Sequence, residues 1–154
     1  MRRVKNPLAL GLVLLGSLAM VIPTFLPLNE SGRFGHIEDN TLIQQGGWML
    51  IALAIWTALS GYSVDQGRQR VALVIVPTVL AGLWVVYIAV TAGTQTLYPV
   101  GADGHPDTSM PGTTATMAIG IYLAGLGVTV AFIGAMMLRN LAHEDAHRID
   151  NETH

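Results

Sequence analysis

The stretch GIYLAGLGVTVAFIG, residues 120–134, carries small residues at alternating spacings of four and three. They are Gly120, Ala124, Gly127, Ala131 and Gly134. On a helix with about 3.6 residues per turn these positions form one narrow stripe. Most of the other residues in the stretch are large and apolar. This combination is typical of a helix that crosses a membrane and packs closely against another helix.

The composition of the whole chain also indicates a membrane protein. Of the 154 residues, 51% are hydrophobic and only 12% are charged, whereas soluble domains average about 25% charged residues. The net charge of -2 and the lack of basic clusters interleaved with aromatic residues argue against a nucleic acid partner. The chain has no cysteine, which excludes disulfides, thiol nucleophiles and groups held through cysteine.

Four uncharged stretches are long enough to cross a membrane, which takes about 20 apolar residues in a helix. They cover residues 7–28, 41–64, 71–91 and 113–138. Thr41 and Gln44 can form a capping box at the second stretch, and Pro77 is expected to bend the third. The sequence predicts an all-α, polytopic integral membrane protein. We expect a four-transmembrane-helix bundle within residues 1–140 and a cytoplasmic polar tail over residues 141–154.

The basic residues predict the orientation, because Lys and Arg near the ends of spans tend to stay in the cytoplasm. With four crossings, every basic residue except Arg33 falls on one side of the membrane. The residues on that side are Arg2, Arg3, Lys5, Arg68, Arg70, Arg139 and Arg148. We therefore expect both termini in the cytoplasm and outer loops over residues 29–40 and 92–112.

The first stretch has an alternative interpretation as a signal peptide. The basic start MRRVK precedes an apolar run, and Ser17-Leu18-Ala19 offers small residues at a cleavage site. The apolar run continues to Leu28, which is longer than a usual signal core, so we expect a retained helix. Cleavage would leave three crossings and an external amino terminus.

The sequence does not determine what the stripe of small residues packs against. Joining two helices in lipid gives little hydrophobic gain, so close packing of small-residue faces has to contribute instead. The stripe can face another helix of the same chain, where Gly11 and Gly16 offer a less regular surface, or a separate protein. Its five residues are the predicted helix-packing or partner-binding surface. Aromatic residues within the spans are expected to pack in the core, with a lipid or quinone contact as the alternative.

The segment HEDAH, residues 143–147, matches HExxH, in which two histidines bind zinc and the glutamate acts as a base. A catalytic zinc generally needs three protein ligands, a water position and an enclosing cavity. The segment lies in the predicted polar tail, so we interpret it as a solvated helix end. We expect no enzyme activity, no metal and no cofactor.

The predicted outer loops contain a second group of metal-binding residue types. Asp103, His105 and Asp107 alternate in one loop, while His36, Glu38 and Asp39 occupy the other. Asp103-Gly104 and His105-Pro106 are also typical of turns, which is the preferred interpretation. For contacts to an external partner we favour Phe34, His36, Tyr98 and His105.

NTLIQQGGWML, TLYPVGADGHPDTSMPG and the Gly-rich fourth stretch resemble small four-helix membrane proteins of actinobacteria that lack an assigned activity. The resemblance covers most of the chain and implies the topology and a bacterial plasma membrane. It implies no catalytic or ligand residue.

Two functional hypotheses remain. The preferred one is an integral membrane accessory or scaffold protein, embedded in the lipid bilayer and packed against itself or a larger membrane complex. The alternative is an oligomeric channel or small-molecule carrier, in which Thr57, Ser60, Thr78 and Thr129 line a weakly polar path. Because the spans contain no ionisable residue, an ion-coupled carrier is disfavoured.

Overall fold

Four long helices make up most of the protein. The computed structural model describes residues 6–26, 29–30, 42–66, 70–93, 96–98, 101, 105, 107–114, 116–117 and 119–152. The helices are α1 (Pro7–Val21), α2 (Trp48–Asp65), α3 (Ala72–Gly93) and α4 (Ile119–Glu152). All four are long and apolar enough to cross a membrane, with α1 extended by a 3-10 helix over Ile22–Phe25. The prediction of four such helices is confirmed.

The start of the second helix differs from the predicted one. Residues Ile43–Gly47 form a π-helical turn, in which the Gly47 N–H donates to the Leu42 carbonyl at 2.8 Å, and the α-helix begins only at Trp48. Gly46 has a φ of 92°, which only glycine adopts without strain. The sequence analysis missed this turn. Thr41 and the Gln44 side chain, which the predicted capping box requires, lie outside the described residues.

The fourth helix is displaced along the chain relative to its predicted bounds. Residues predicted as its first turn instead form two short strands, because β-branched threonines favour extended backbone. The helix then continues far beyond residue 138, since no Gly or Pro follows Gly134 before it ends at Glu152. Residues 141–152 of the predicted polar tail are therefore helical.

Short strands join the approach to α4 to the segments that follow α1 and α3. Strand β1 (Asn29–Glu30) pairs antiparallel with β4 (Thr116–Met117), and β2 (Thr96–Leu97) pairs antiparallel with β3 (Thr113–Thr114). We call this the strand end of the protein. The opposite end, where α1 begins, α2 ends and α3 begins, is called the basal end.

The helices pack in chain order, α1 on α2, α2 on α3 and α3 on α4, and α4 packs on α1. Buried apolar side chains form two clusters along the centre. The one toward the strand end includes Met20, Leu50 and Ile88, and the one toward the basal end includes Val13 and Val74. The third helix runs through Pro77 as one continuous element. Most large apolar side chains outside these clusters point away from the protein.

Candidate functional site

The predicted stripe of small residues lies inside the protein. Gly120, Ala124, Gly127, Ala131 and Gly134 are all buried. Three of them lie against α1, which runs antiparallel to α4: Gly127 lies beside Ala19 and Met20, Ala131 beside Gly16, and Gly134 beside Ala9 and Val13. We call this contact the α1–α4 seam. Of the two partners that the sequence left open, the structure places a helix of the same chain on the stripe.

The seam requires glycine because the two backbones nearly touch. A Cβ added at Gly127 would lie 2.8 Å from both the Ala19 carbonyl carbon and the Met20 nitrogen. One added at Gly134 would lie 2.7 Å from the Val13 nitrogen, and one at Gly16 only 2.6 Å from the Gly127 carbonyl oxygen. All of these are backbone atoms, which cannot rotate away. By contrast, Gly11 and Gly125 face open space with no atom within 4 Å.

A tryptophan on α3 holds the π-helical turn that precedes α2. The Trp84 indole N–H donates to the Gly46 carbonyl at 3.1 Å. A buried indole N–H needs such an acceptor, and the distorted turn offers a carbonyl for it. Tyr87 lies beside the same indole with ring centroids 5.3 Å apart, and its own ring is mostly exposed. Trp84 therefore fixes the start of α2 against α3.

A buried carboxylate at the basal end holds the beginning of α1. Asp65, the last residue of α2, is only 2% exposed, and its Oδ1 accepts a hydrogen bond from the Asn6 backbone N–H at 2.9 Å. The Asn6 side chain makes no cap of its own. The positive end of a helix dipole stabilises an anion placed there. Asp65 thus caps α1 from another helix and is held by a further interaction as well.

The sequence analysis missed Asp65 because the predicted second stretch ended one residue before it. The signal was present in two places. Pro7 suits a first helical position, so the residue before it is where a helix N-cap is needed. Asp65 is the carboxylate that directly follows the second stretch.

Three of the four hydroxyls considered for a polar path bond within their own helices. Thr57 donates to the Leu53 carbonyl at 2.8 Å, Thr78 to Val74 at 2.7 Å and Thr129 to Gly125 at 2.9 Å. Thr57 and Thr78 are fully buried among packed side chains. These three hydroxyls already have acceptors in the preceding helical turn, as is common for threonine within helices.

The predicted outer loop between α3 and α4 is described in part. Tyr98 and His105 are exposed, and the His105 carbonyl accepts a hydrogen bond from the Gly101 N–H at 2.8 Å. Asp107 Oδ1 accepts bonds from the Ser109 hydroxyl at 2.5 Å and the Ser109 backbone N–H at 3.0 Å. The bond from the Ser109 hydroxyl, and to a smaller extent the bond from the Ser109 backbone N–H, lower the pKa of Asp107 from its ordinary value of 3.8. This is the turn chemistry preferred from the sequence.

Other candidate positions lie outside what the structure describes. Phe34, His36 and Asp103 belong to undescribed segments. The backbone of HEDAH, residues 143–147, is helical as part of α4, but its side chains are not described. Within the described part of the chain, no group of three or more His, Cys, Asp or Glu could hold a metal ion.

No family model, curated protein or solved structure matches this chain. The resemblance to actinobacterial membrane proteins therefore remains a prediction.

Proposed function

We propose that the chain is an integral membrane protein that crosses the bilayer four times, with both termini in the cytoplasm, and serves as a scaffold or accessory subunit. The support for a membrane location is the outward face of the helices. No more than 44% of the residues in any span are buried inside the protein. Side chains such as Leu83, Ile55 and Leu126 point outward on three different helices.

An outward apolar surface on every span is costly in water and is ordinary in lipid. Monomeric soluble proteins rarely expose apolar patches of more than a few hundred Å². The hydrocarbon layer solvates such side chains without penalty, and the helices satisfy their own backbone groups. This surface is the observation that carries the proposal.

The scaffold proposal is supported by the way in which the polar groups are used. Trp84, Thr57 and Thr78 donate to backbone carbonyls, and Asp65 caps a helix. These groups therefore hold the fold together. A contact to another protein would use the outward faces or the exposed loop residues Tyr98 and His105, because the seam is occupied by α1.

The experiment compares assembly and transport for the same protein. The untagged chain is extracted from its native membrane in a mild detergent, and the particle is sized and its components identified. We expect a defined complex larger than one chain. Substitution of the open-space glycine Gly125 by Leu is expected to weaken an assembly that uses this face of α4.

The substitution Gly127→Ala tests the internal seam rather than the outer surface, so it should alter the stability of the fold before it alters assembly. The alternative function is tested by measuring flux of solutes across sealed vesicles that contain the purified protein. A monomeric particle together with selective, saturable flux would replace the scaffold proposal with a channel or carrier.

A further inference from the structure

One of the three tryptophans, Trp56, has an indole N–H without an acceptor in the described part of the chain. The Trp84 N–H donates to the Gly46 carbonyl, and Trp48 lies at the strand end, where α2 begins. Trp56 is 44% exposed, which differs from the core packing that the sequence predicts for aromatic residues within the spans. Its ring therefore faces outward with an unpaired donor.

Trp56 also lies at the centre of the second span. It comes eight residues after Trp48 and nine before Asp65, so at about 1.5 Å per residue it is about 12–13 Å from either end of α2. Tryptophan is enriched at the two membrane surfaces, where one side of its ring is wet. In the hydrocarbon layer an unpaired N–H costs free energy. We therefore expect its acceptor to come from outside the chain.

A groove between α1 and α2 lies at the same depth. Its volume is about 230 Å³, and its small lining residues are Ser17, Ala54 and Ala58. A cavity of about 150 Å³ holds benzene, so this groove has room for the two rings of an indole. Ser17 donates its hydroxyl proton to the Val13 carbonyl at 2.8 Å, and its oxygen can still accept a hydrogen bond.

Trp56 and the groove lie on opposite edges of the exposed face of α2. Trp56 is two residues from each of Ala54 and Ala58, which places it about 160° around the helix from both. It therefore cannot enter the groove of its own chain. Ile55 and Leu59 lie between the two edges and are 53% and 65% exposed.

A second copy of the chain brings the two edges together. Copies inserted in one orientation hold Trp56 and the groove at equal depth, because Trp56 lies between Ala54 and Ala58 along the helix. A twofold axis along the membrane normal, passing beside Ile55 and Leu59, sets each edge of one copy against the opposite edge of the other. Trp56 of each copy then faces the groove of its partner.

The exposed face is large enough for such a contact. Its large side chains, each between 44% and 65% exposed, are Leu14, Leu18, Ile55, Trp56 and Leu59. They offer on the order of 600 Å² per copy, and standard interfaces bury about 600–1,000 Å² per partner. Because lipid solvates apolar surface as well as protein does, close packing and hydrogen bonding have to supply the specificity.

We propose that this face of α2 and the adjacent groove form a symmetric interface between two copies of the chain. Each Trp56 indole fills the groove of the other copy and donates to the Ser17 hydroxyl there. The inference rests on the proposed membrane location, and it makes the chain itself one partner in the proposed scaffold.

The test measures self-association of the full chain in phosphatidylcholine vesicles. Donor and acceptor dyes are attached to Ser109→Cys in the exposed loop, and energy transfer is recorded as the protein-to-lipid ratio is lowered. We expect a dimer. An interhelical hydrogen bond in lipid changes an association constant by roughly threefold. The symmetric interface holds two such bonds, so Trp56→Phe should weaken the dimer about ninefold.

Two matched pairs of variants separate this face from the rest of the surface. Trp48→Phe makes the same change at the membrane surface and should leave association unaltered. Ala58→Leu fills the groove and should weaken the dimer about tenfold or more. Gly125→Leu adds the same side chain to open space on α4 and should have no effect. Equal losses in Trp56→Phe and Trp48→Phe, or a loss in Gly125→Leu without one in Ala58→Leu, would overturn the proposal.

Single cysteines locate the interface without relying on its strength. Leu59→Cys, beside the twofold axis, should give a disulfide-linked dimer when the vesicles are oxidised. Leu80→Cys is 44% exposed on α3 at about the same distance from the basal end and should stay monomeric. Cross-linking through residue 80 and not through residue 59 would place the contact on α3 and contradict the proposal.

Failure of the dimer would look different from failure of the membrane proposal. A chain that enters the vesicles and stays monomeric at every protein-to-lipid ratio would overturn the dimer, with a lipid chain as the occupant of the groove. A chain that stays soluble without detergent and does not enter vesicles would overturn the membrane location instead. Because the first result is obtained with an unaltered α2 face, misfolding of a variant cannot mask it.

Discussion

Gly127→Ala is the substitution that should disturb the α1–α4 seam most cleanly. The new Cβ would lie 2.8 Å from two backbone atoms of α1, whereas ordinary contact begins at 3.4 Å, so the helices must separate by about 0.6 Å (3.4 minus 2.8) at that point. A radial gap of about 0.5–1 Å forfeits a quarter to a half of the dispersion energy of each contact. Overpacking of this kind costs about 1–3 kcal/mol.

The matched control is Gly125→Ala, two residues away on the same helix. Its Cβ meets no atom within 4 Å, so this variant reports only the helix propensity gain, about 1 kcal/mol in a soluble helix. The difference between the two variants isolates the cost of separating the helices. We expect Gly127→Ala to be less stable than Gly125→Ala by about 1–3 kcal/mol or more.

The assay is reversible unfolding of each purified variant in mixed micelles of a mild detergent and dodecyl sulfate, followed by circular dichroism. Equal midpoints for the two variants would refute the close approach of α1 and α4 at Gly127. The companion pair Gly16→Ala and Gly11→Ala repeats the comparison from the α1 side, where only Gly16 touches α4 backbone.

Three further substitutions test other contacts. Trp84→Phe removes the hydrogen bond to the Gly46 carbonyl and should cost about 0.6–1 kcal/mol in the same unfolding assay, since such bonds are modest in membranes; an unchanged midpoint would show that the bond is not stabilising. Asp65→Ala leaves the partly buried Asn6 N–H without its acceptor and should cost about 1–3 kcal/mol, more than Asp65→Asn, which keeps an acceptor. The reverse order would contradict the capping role. Ser109→Ala should raise the pKa of Asp107 toward its ordinary value of 3.8, measured by NMR titration. Because that pKa is lowered in the folded loop, its contribution to stability is present above pH 3.8 and disappears as the pH falls through the lowered pKa. An Asp107 pKa that does not move in Ser109→Ala would exclude these bonds as its cause.

The sequence predicted the long helices and the small-residue face of α4 because both depend on local patterns. Apolar length identifies a span, and spacings of four and three identify a face. The partner of that face is a tertiary property. Gly16 and Gly11 look alike in the sequence, yet one touches α4 and the other faces outward, a difference set by the rotation of α1 about its axis.

Element ends were less predictable, for reasons specific to each place. The π-helical turn at Ile43–Gly47 depends on a carbonyl that Trp84 binds from a helix 38 residues away in the chain. The predicted start of α4 was wrong because the threonines at residues 113–116 lie in an uncharged stretch and were assigned to the helix. In the structure they belong to paired strands. The capping role of Asp65 could be predicted only with knowledge of which helix begins beside it.

The most direct measurement is accessibility labelling, which the absence of native cysteine makes simple. Single cysteines replace Asn6 before α1, Ser109 between α3 and α4, and Asn151 near the end of α4, and intact cells are treated with a membrane-impermeant maleimide. The account predicts labelling at residue 109 alone, with residues 6 and 151 reacting only after the membrane is opened. Labelling of residue 6 or 151 in intact cells, or all three residues reacting alike, would contradict four crossings with both termini in the cytoplasm.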